Sequence, residues 1–355
     1  MKLRIVSLLL LAGNFTFAQK VDLDRYNFQG SYRSLPQRPL DASYKTYSIR
    51  IEATSSVKDG FSESGMKEGI TIDGMKKIPE NGHINIYTLF DDVMIEKSEV
   101  KERTEEKKDR DGKVTSKTYY YYVEVGYSFA ARASITDYKG ATLVSNWVLA
   151  DRGNKQSYTS TEYSTYSDAA KYYNNNKYEL RNQFTRQQVT AALQSLNASL
   201  NLNFGYSARR DPDILWILDS KKHPEQGAQQ AAWATFKETI ATVTPDDIPL
   251  ESRLKLQTLI QYFDSVKVKY AGADKADKKM RYSSFYNNAK IYLYLDNPEA
   301  AIKEADGLIA NDYDTGDGKY LKKQAEDMIA SFKRNNTNSR HFRIDLNNAE
   351  GPKQN

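Results

Sequence analysis

Between residues 119 and 135 every odd position is apolar or aromatic: Tyr119, Tyr121, Val123, Val125, Tyr127, Phe129, Ala131, Ala133 and Ile135. Their even neighbours include Glu124, Gly126, Ser128, Arg132 and Ser134. A helix would scatter the odd set around its axis, whereas a strand gathers it on one side. The pattern therefore demands a sheet with one buried face, and its surroundings make that sheet antiparallel. Asp111-Gly112 is a hairpin-turn dipeptide, so residues 93–106 are expected to pair back against 114–125. Lys139-Gly140 turns the chain again into 141–150, where Leu143, Trp147 and Leu149 share a face.

Upstream, Tyr47, Ile49, Ile51 and Ala53 alternate with Ser48, Arg50 and Glu52, which predicts an earlier strand. Residues 55–82 are rich in Gly and Ser around a short strand from Ile70 to Ile72, and Ile84 and Ile86 mark another strand over 83–90. Residues 151–176 read as a strand plus a long loop. Leu180, Phe184, Val189, Ala192, Leu193, Leu196 and Leu200 then predict a helix over 177–200, and Leu202, Phe204 and Tyr206 one more strand. A helix packed on the apolar face of such a sheet gives an α+β domain over 43–210.

After Asp211-Pro212 the period becomes 3.6. Ala232, Trp233, Phe236 and Ile240 mark one helix, and Leu256, Leu259, Ile260, Phe263 and Val266 a second. Met280, Phe285, Ala289 and Tyr292 mark a third, Ala301, Ile302, Ala305 and Leu308 a fourth, and Leu321, Ala325, Met328, Ile329 and Phe332 a fifth. Short polar connectors imply an all-α domain of helical hairpins over 211–334. Residues 335–355 read as a polar tail with a short strand at 341–346.

The first eighteen residues have the layout of a secretory signal. Lys2 and Arg4 precede an apolar stretch from Ile5 to Gly13, and Thr16 and Ala18 supply the small residues before Gln19. That apolar stretch is too short to span a bilayer, which takes ~20 residues, and no later segment reaches that length. Residues 19–42 are polar and proline-bearing and read as an extended arm. The chain contains no Cys, which excludes a lipoprotein anchor, disulfides and thiol catalysis. Loss of Lys2 and Arg4 with the signal lowers the net charge from +5 to +3. Lys and Glu are interspersed, as in 102–108, so no basic tract marks a nucleic-acid partner.

Residues 282–310, YSSFYNNAKIYLYLDNPEAAIKEADGLIA, carry a family likeness. Phe285, Ala289 and Tyr292, then the turn Leu295-Asp296-Asn297-Pro298, then Glu299-Ala300-Ala301-Ile302, fall at the spacings of a helix–turn–helix unit. The segment resembles one tetratricopeptide repeat (TPR). It departs from the pattern at Asn288, where Leu is usual, at Ala305, where an aromatic is usual, and in lacking a closing Pro. The resemblance covers about thirty residues, and one repeat cannot bury its faces alone, so flanking hairpins must complete it. It implies a concave partner-binding face at Ser283, Tyr286, Lys290, Leu293 and Tyr294. A fainter likeness lies in residues 132–143, RASITDYKGATL, followed by an Ala-rich helix. That segment is similar to bacterial envelope assembly factors, the class of curli-secretion-channel proteins and penicillin-binding-protein activators.

No Gly-x-Ser-x-Gly elbow, His-Glu-x-x-His pair or phosphate-cradling Gly loop is present. His83, His223 and His341 are too scattered for a metal or a base–nucleophile pair, and His83 reads as a surface residue. Asp312-Tyr313-Asp314-Thr315-Gly316-Asp317-Gly318 fails the calcium-loop register, since Asp317 and Lys323 stand where Gly and Glu are needed. It reads as a turn with Asp317 capping the last helix. No catalytic residue, metal or cofactor is expected. The sequence thus leads to an exported, non-enzymatic component of the periplasm or outer-membrane periphery that binds other envelope proteins in a hetero-complex. The alternatives are a peptidoglycan or glycan binder with tyrosine-lined grooves and, behind it, a carboxylate-dependent hydrolase.

Overall fold

The computed structural model describes residues 20–353, so the secretory signal expected at 1–18 lies outside the described residues. The chain is α+β, with 42% of the described residues helical and 28% in strands. In order, the strands are β1 Leu23–Arg33, β2 Thr46–Ala53, β3 Lys76–Lys77, β4 Ile84–Phe90, β5 Met94–Lys108, β6 Val114–Ser128, β7 Ala131–Asp137, β8 Thr142–Ala150, β9 Gln156–Thr159 and β10 Ala208–Leu218. The helices are α1 Ser55–Gly60, α2 Glu63–Glu68, α3 Tyr166–Phe204, α4 Gln226–Ile240, α5 Leu250–Lys269, α6 Lys275–Tyr294, α7 Pro298–Asn311 and α8 Thr315–Asn335. Among the described residues two compact units result, one from 20–33 with 208–343, the other from 34–207 with 344–353. The divisions anticipated at 42/43, 210/211 and 334/335 therefore differ from the observed crossings of the chain at 33/34, 207/208 and 343/344.

In the strand-rich unit, a five-stranded sheet has the order β3-β2-β4-β7-β8 and a three-stranded sheet the order β5-β6-β9. The long alternation is divided between them. Val123, Val125 and Tyr127 of β6 and Ala131, Ala133 and Ile135 of β7 are all buried, with Phe129 buried at the crossover. Asp111-Gly112 does turn β5 into β6, paired from Met94↔Ser128 to Lys108↔Val114, with Gly112 at φ +81°. Gly140, at φ +83°, turns β7 into β8; a side chain in that left-handed region would be strained.

Two expectations are corrected here. The five-stranded sheet is mixed, because β2 runs parallel to β4 from Tyr47↔Ile84 to Ala53↔Phe90. A parallel pair needs a crossover, and 55–82 supplies it as α1 and α2 rather than as a strand at Ile70–Ile72, whose isoleucines are buried without strand pairing. Secondly, α3 begins at Tyr166 and runs unbroken through Phe204. Thr165 caps it, its hydroxyl accepting from Asp168 N at 3.2 Å. Leu180, Phe184, Val189, Ala192, Leu196, Leu200 and Phe204 form one buried seam, while Leu202 points outward at 54% exposure. Burial of that seam outweighs the poor helix propensity of Asn174-Asn175-Asn176.

In the helix-rich unit the five helices stand where the 3.6 period placed them, but the unit is not all-α. Residues 23–33, part of the segment expected to be an extended arm, pair with β10 in an eleven-residue antiparallel ribbon from Leu23↔Leu218 to Arg33↔Ala208. Phe28 of β1 packs edge-on against Phe236 of α4 at 4.8 Å and Tyr294 of α6 at 5.4 Å. The ribbon thereby joins the core formed by Leu215, Phe236, Leu256, Ile260, Phe263 and Ile291.

The tail is not loose, and residues 341–346 form no strand. Asp296, at φ +56° in the turn between α6 and α7, accepts from Arg340 Nε at 2.8 Å, Arg340 N at 2.6 Å and Ser339 Oγ at 2.9 Å. His341 beside it is buried, its Nδ1 2.7 Å from the Thr244 carbonyl, which can only accept, so Nδ1 carries the proton. Burial is the largest effect on this imidazole and holds its pKa below the ordinary histidine value. A depressed folded-state pKa stabilises the fold above the unfolded value of about 6.5, and that contribution is lost as pH falls. The urea midpoint is therefore expected to drop between pH 7 and pH 5, with a shallower slope in His341→Asn. The burial-depressed His83 and His223 leave a residual slope. An unchanged slope in the variant would refute the assignment.

Candidate functional site

The five residues expected to face a partner lie on α6, and all are buried: Ser283 at 0%, Tyr286 at 5%, Lys290 at 4%, Leu293 at 6% and Tyr294 at 7%. The expectation of an open binding face is corrected by this burial, and at Lys290 and Tyr294 what covers it is strand β10 of the same chain. Lys290 Nζ donates to Asp213 Oδ2 at 3.0 Å, and the Tyr294 hydroxyl donates to the same oxygen at 3.0 Å. Burial, then the neighbouring Asp213 charge, pushes the Tyr294 phenol well above its ordinary pKa, so it remains a donor. Lys290 is flanked by the Tyr286 and Tyr320 rings at 5.7 and 5.8 Å. Asn287, which sequence reasoning passed over, accepts from Trp216 N at 2.9 Å and donates to Trp216 O at 2.7 Å. Its amide thus satisfies the strand's backbone as a neighbouring strand would.

Ser283 does not take part in this clamp; its hydroxyl donates back to the Met280 carbonyl at 2.9 Å. Leu293 packs among Ala301, Ala305 and Leu321. Gly30 of β1 is required by the same arrangement, since a Cβ there would fall 1.9 Å from Cε1 of Tyr294. Lys290 and Tyr294, two of the positions at which a partner was expected, therefore hold the chain's own strand.

Near α8, Asp314 rather than Asp317 is the cap, accepting from Gly316 N at 3.0 Å and Asp317 N at 3.3 Å. Asp317 instead accepts from the Tyr282 hydroxyl at 2.5 Å. Among the described residues no group of three or more His, Asp or Glu converges as a metal site, and no helix is long and apolar enough to cross a membrane.

Accessible features occur in the strand-rich unit. The first is the outer face of the five-stranded sheet, where Ser48 and Arg50 of β2, Asn85 and Tyr87 of β4, and Ser134 and Thr136 of β7 floor a cleft of about 620 Å³. These are the polar halves of the alternating strands, a signal legible in sequence only as residues that face away from the core. The second is the β5–β6 ribbon, whose distal part, Glu102 to Lys108 and Val114 to Tyr119, is exposed on both faces. Tyr119 there is 46% exposed. At its base Arg103 pairs with Glu162 through Nε at 2.7 Å and Nη2 at 2.9 Å and lies 4.7 Å from the Tyr120 ring.

Comparison with models of known protein families and with curated proteins finds no match.

Proposed function

We propose that this protein is a non-enzymatic, exported component of the cell envelope that binds other envelope proteins in a heteromeric assembly at the periplasmic or outer-membrane periphery. The observation that carries the reading is the β5–β6 ribbon. Its strands stay paired to Lys108↔Val114, well past the last buried side chains. A two-stranded ribbon without a core gains little stability of its own, so folding alone does not account for its length. Tyrosines and paired charges along it suit a contact surface that is sticky but soluble.

In this reading α6 and α7 are a degenerate TPR-type hairpin whose docking face holds the chain's own strand, and foreign partners dock on the ribbon. The secretory layout of residues 1–18 supports export. The test uses tagged full-length chain expressed in its own envelope, crosslinked and solubilised. A stoichiometric partner, which retrieves this protein when tagged in turn, is the expected result. A variant with residues 105–118 replaced by Asn-Gly keeps the Thr104↔Tyr119 pair and closes it with a two-residue turn. It should fold, by circular dichroism, yet lose that partner. Absence of any stoichiometric partner, or equal capture by the shortened variant, would overturn the reading.

A further inference from the structure

The cleft on the outer sheet face is independent of the ribbon, and its chemistry names a ligand. Its volume, about 620 Å³, is that of a small-molecule pocket. The floor is polar and largely unspent. Ser48 Oγ donates to Asn85 Oδ1 at 2.7 Å, which orients that amide and leaves its NH2 without a protein acceptor among the described residues. Ser134 and Thr136 stand beside it in register, Tyr87↔Ser134 and Asn85↔Thr136, with hydroxyls free to donate or accept. Tyr87 donates to Glu52, an anchor that holds its ring in place as a platform. Arg50 lies 6.0 Å from that ring and has no carboxylate within ion-pair distance among the described residues. Lys67 of α2 and the Pro79-Glu80-Asn81 loop wall the cleft, with Lys67 already paired to Glu63 at 2.8 Å.

These features exclude as well as select. A phosphate or polyanion calls for several converging free cations, and Arg50 is alone in that role. A lipid or drug-like ligand calls for a mainly apolar lining, whereas half of the residues lining this cleft carry a hydroxyl or an amide. An orienting amide, two hydroxyls, one aromatic platform and one unpaired guanidinium match a pyranose ring that carries many hydroxyls and one carboxylate. We infer that this cleft binds a carboxylate-bearing saccharide, with Arg50 taking the carboxylate and Tyr87 supporting the sugar face.

The test is titration of the full chain, by calorimetry and by amide chemical shifts, with three probes. These are the disaccharide of N-acetylglucosamine and N-acetylmuramic acid, a galacturonic acid trimer, and neutral chitobiose. Weak saturable binding of one or both acidic sugars, with shifts at Asn85, Tyr87 and Ser134, is expected, and the two acidic probes tell an amino-sugar source from a uronic one. Arg50→Gln, at an exposed position, should weaken acidic probes by about tenfold, the worth of a charged hydrogen bond, and leave chitobiose unaffected. Ser134→Trp should block every probe by filling the cleft. The inference is overturned if no acidic sugar binds at millimolar concentration. It is equally overturned if binding survives both variants, or if only an extended peptide occupies the cleft. Loss of the ribbon's protein partner would leave all of these outcomes unchanged.

Discussion

Replacing Asp213 by alanine is expected to destabilise the helix-rich unit by about 3–5 kcal/mol, the usual result of removing one partner from a buried ion pair. The reason is the ammonium left behind. Lys290 has a side chain only 5% exposed, and its remaining acceptor is Gln324 Oε1 at 3.5 Å. Tyr294 loses its acceptor at the same time, so one substitution strips Lys290 of its counter-charge and orphans the Tyr294 hydroxyl. Urea unfolding followed by tryptophan fluorescence will measure the effect, with Trp216 on the strand that Asp213 anchors. Asp213→Asn keeps an acceptor for Tyr294 but not the charge, and should fall between wild type and alanine. In the double variant Asp213→Ala/Lys290→Met no ammonium is stranded, so stability should be largely restored. A double variant as unstable as Asp213→Ala alone would show that the ion pair is not what holds β10 on α6.

The second large effect belongs to the strand-rich unit. Phe184→Ala is expected to cost about 3–5 kcal/mol, the range for emptying a buried aromatic site. Phe184 is 1% exposed in the α3 seam, and its ring stacks on Tyr127 of β6 at 4.1 Å with an interplanar angle of 1°. Tyr158 of β9 also approaches it, at 5.5 Å. One ring therefore links the helix to two strands of the three-stranded sheet. Phe184→Leu keeps most of the volume and should lose clearly less. A cost for Phe184→Ala below about 1 kcal/mol would mean that the seam repacks and that α3 is held mainly elsewhere.

Much of this architecture could be read from local pattern. The alternation around Val123, Val125 and Ile135, the turns at Gly112 and Gly140, and all five helices after residue 225 depend on neighbours two to four positions apart, and those neighbours are visible in the sequence. The limits of α3 were not legible, because Asn174-Asn175-Asn176 looks like a loop until the buried seam on either side of it is counted. The single run from 119 to 135 also hid a change of sheet, since Phe129 stays buried while the backbone leaves one ladder for the next. Periodicity reports which side of a strand is buried and is silent about which strand lies alongside.

The candidate sites show the same division. Tyr286, Lys290 and Tyr294 stood among the partner-facing positions that the tetratricopeptide-repeat resemblance implies. What they hold was not legible, because Asp213 lies 77 positions from Lys290, and β1 pairs with β10 although residues 34–207 separate the two strands in sequence. The sequence alone determined periodicity, turn positions and the supply of tyrosines, amides and charged side chains, all visible over a few residues. Only the tertiary structure decided that β1 closes on β10, that the ribbon fills the helical face, and that Arg50, Asn85 and Ser134 share one cleft. Each of these depends on which distant surfaces bury each other most fully, and a local pattern does not carry that information.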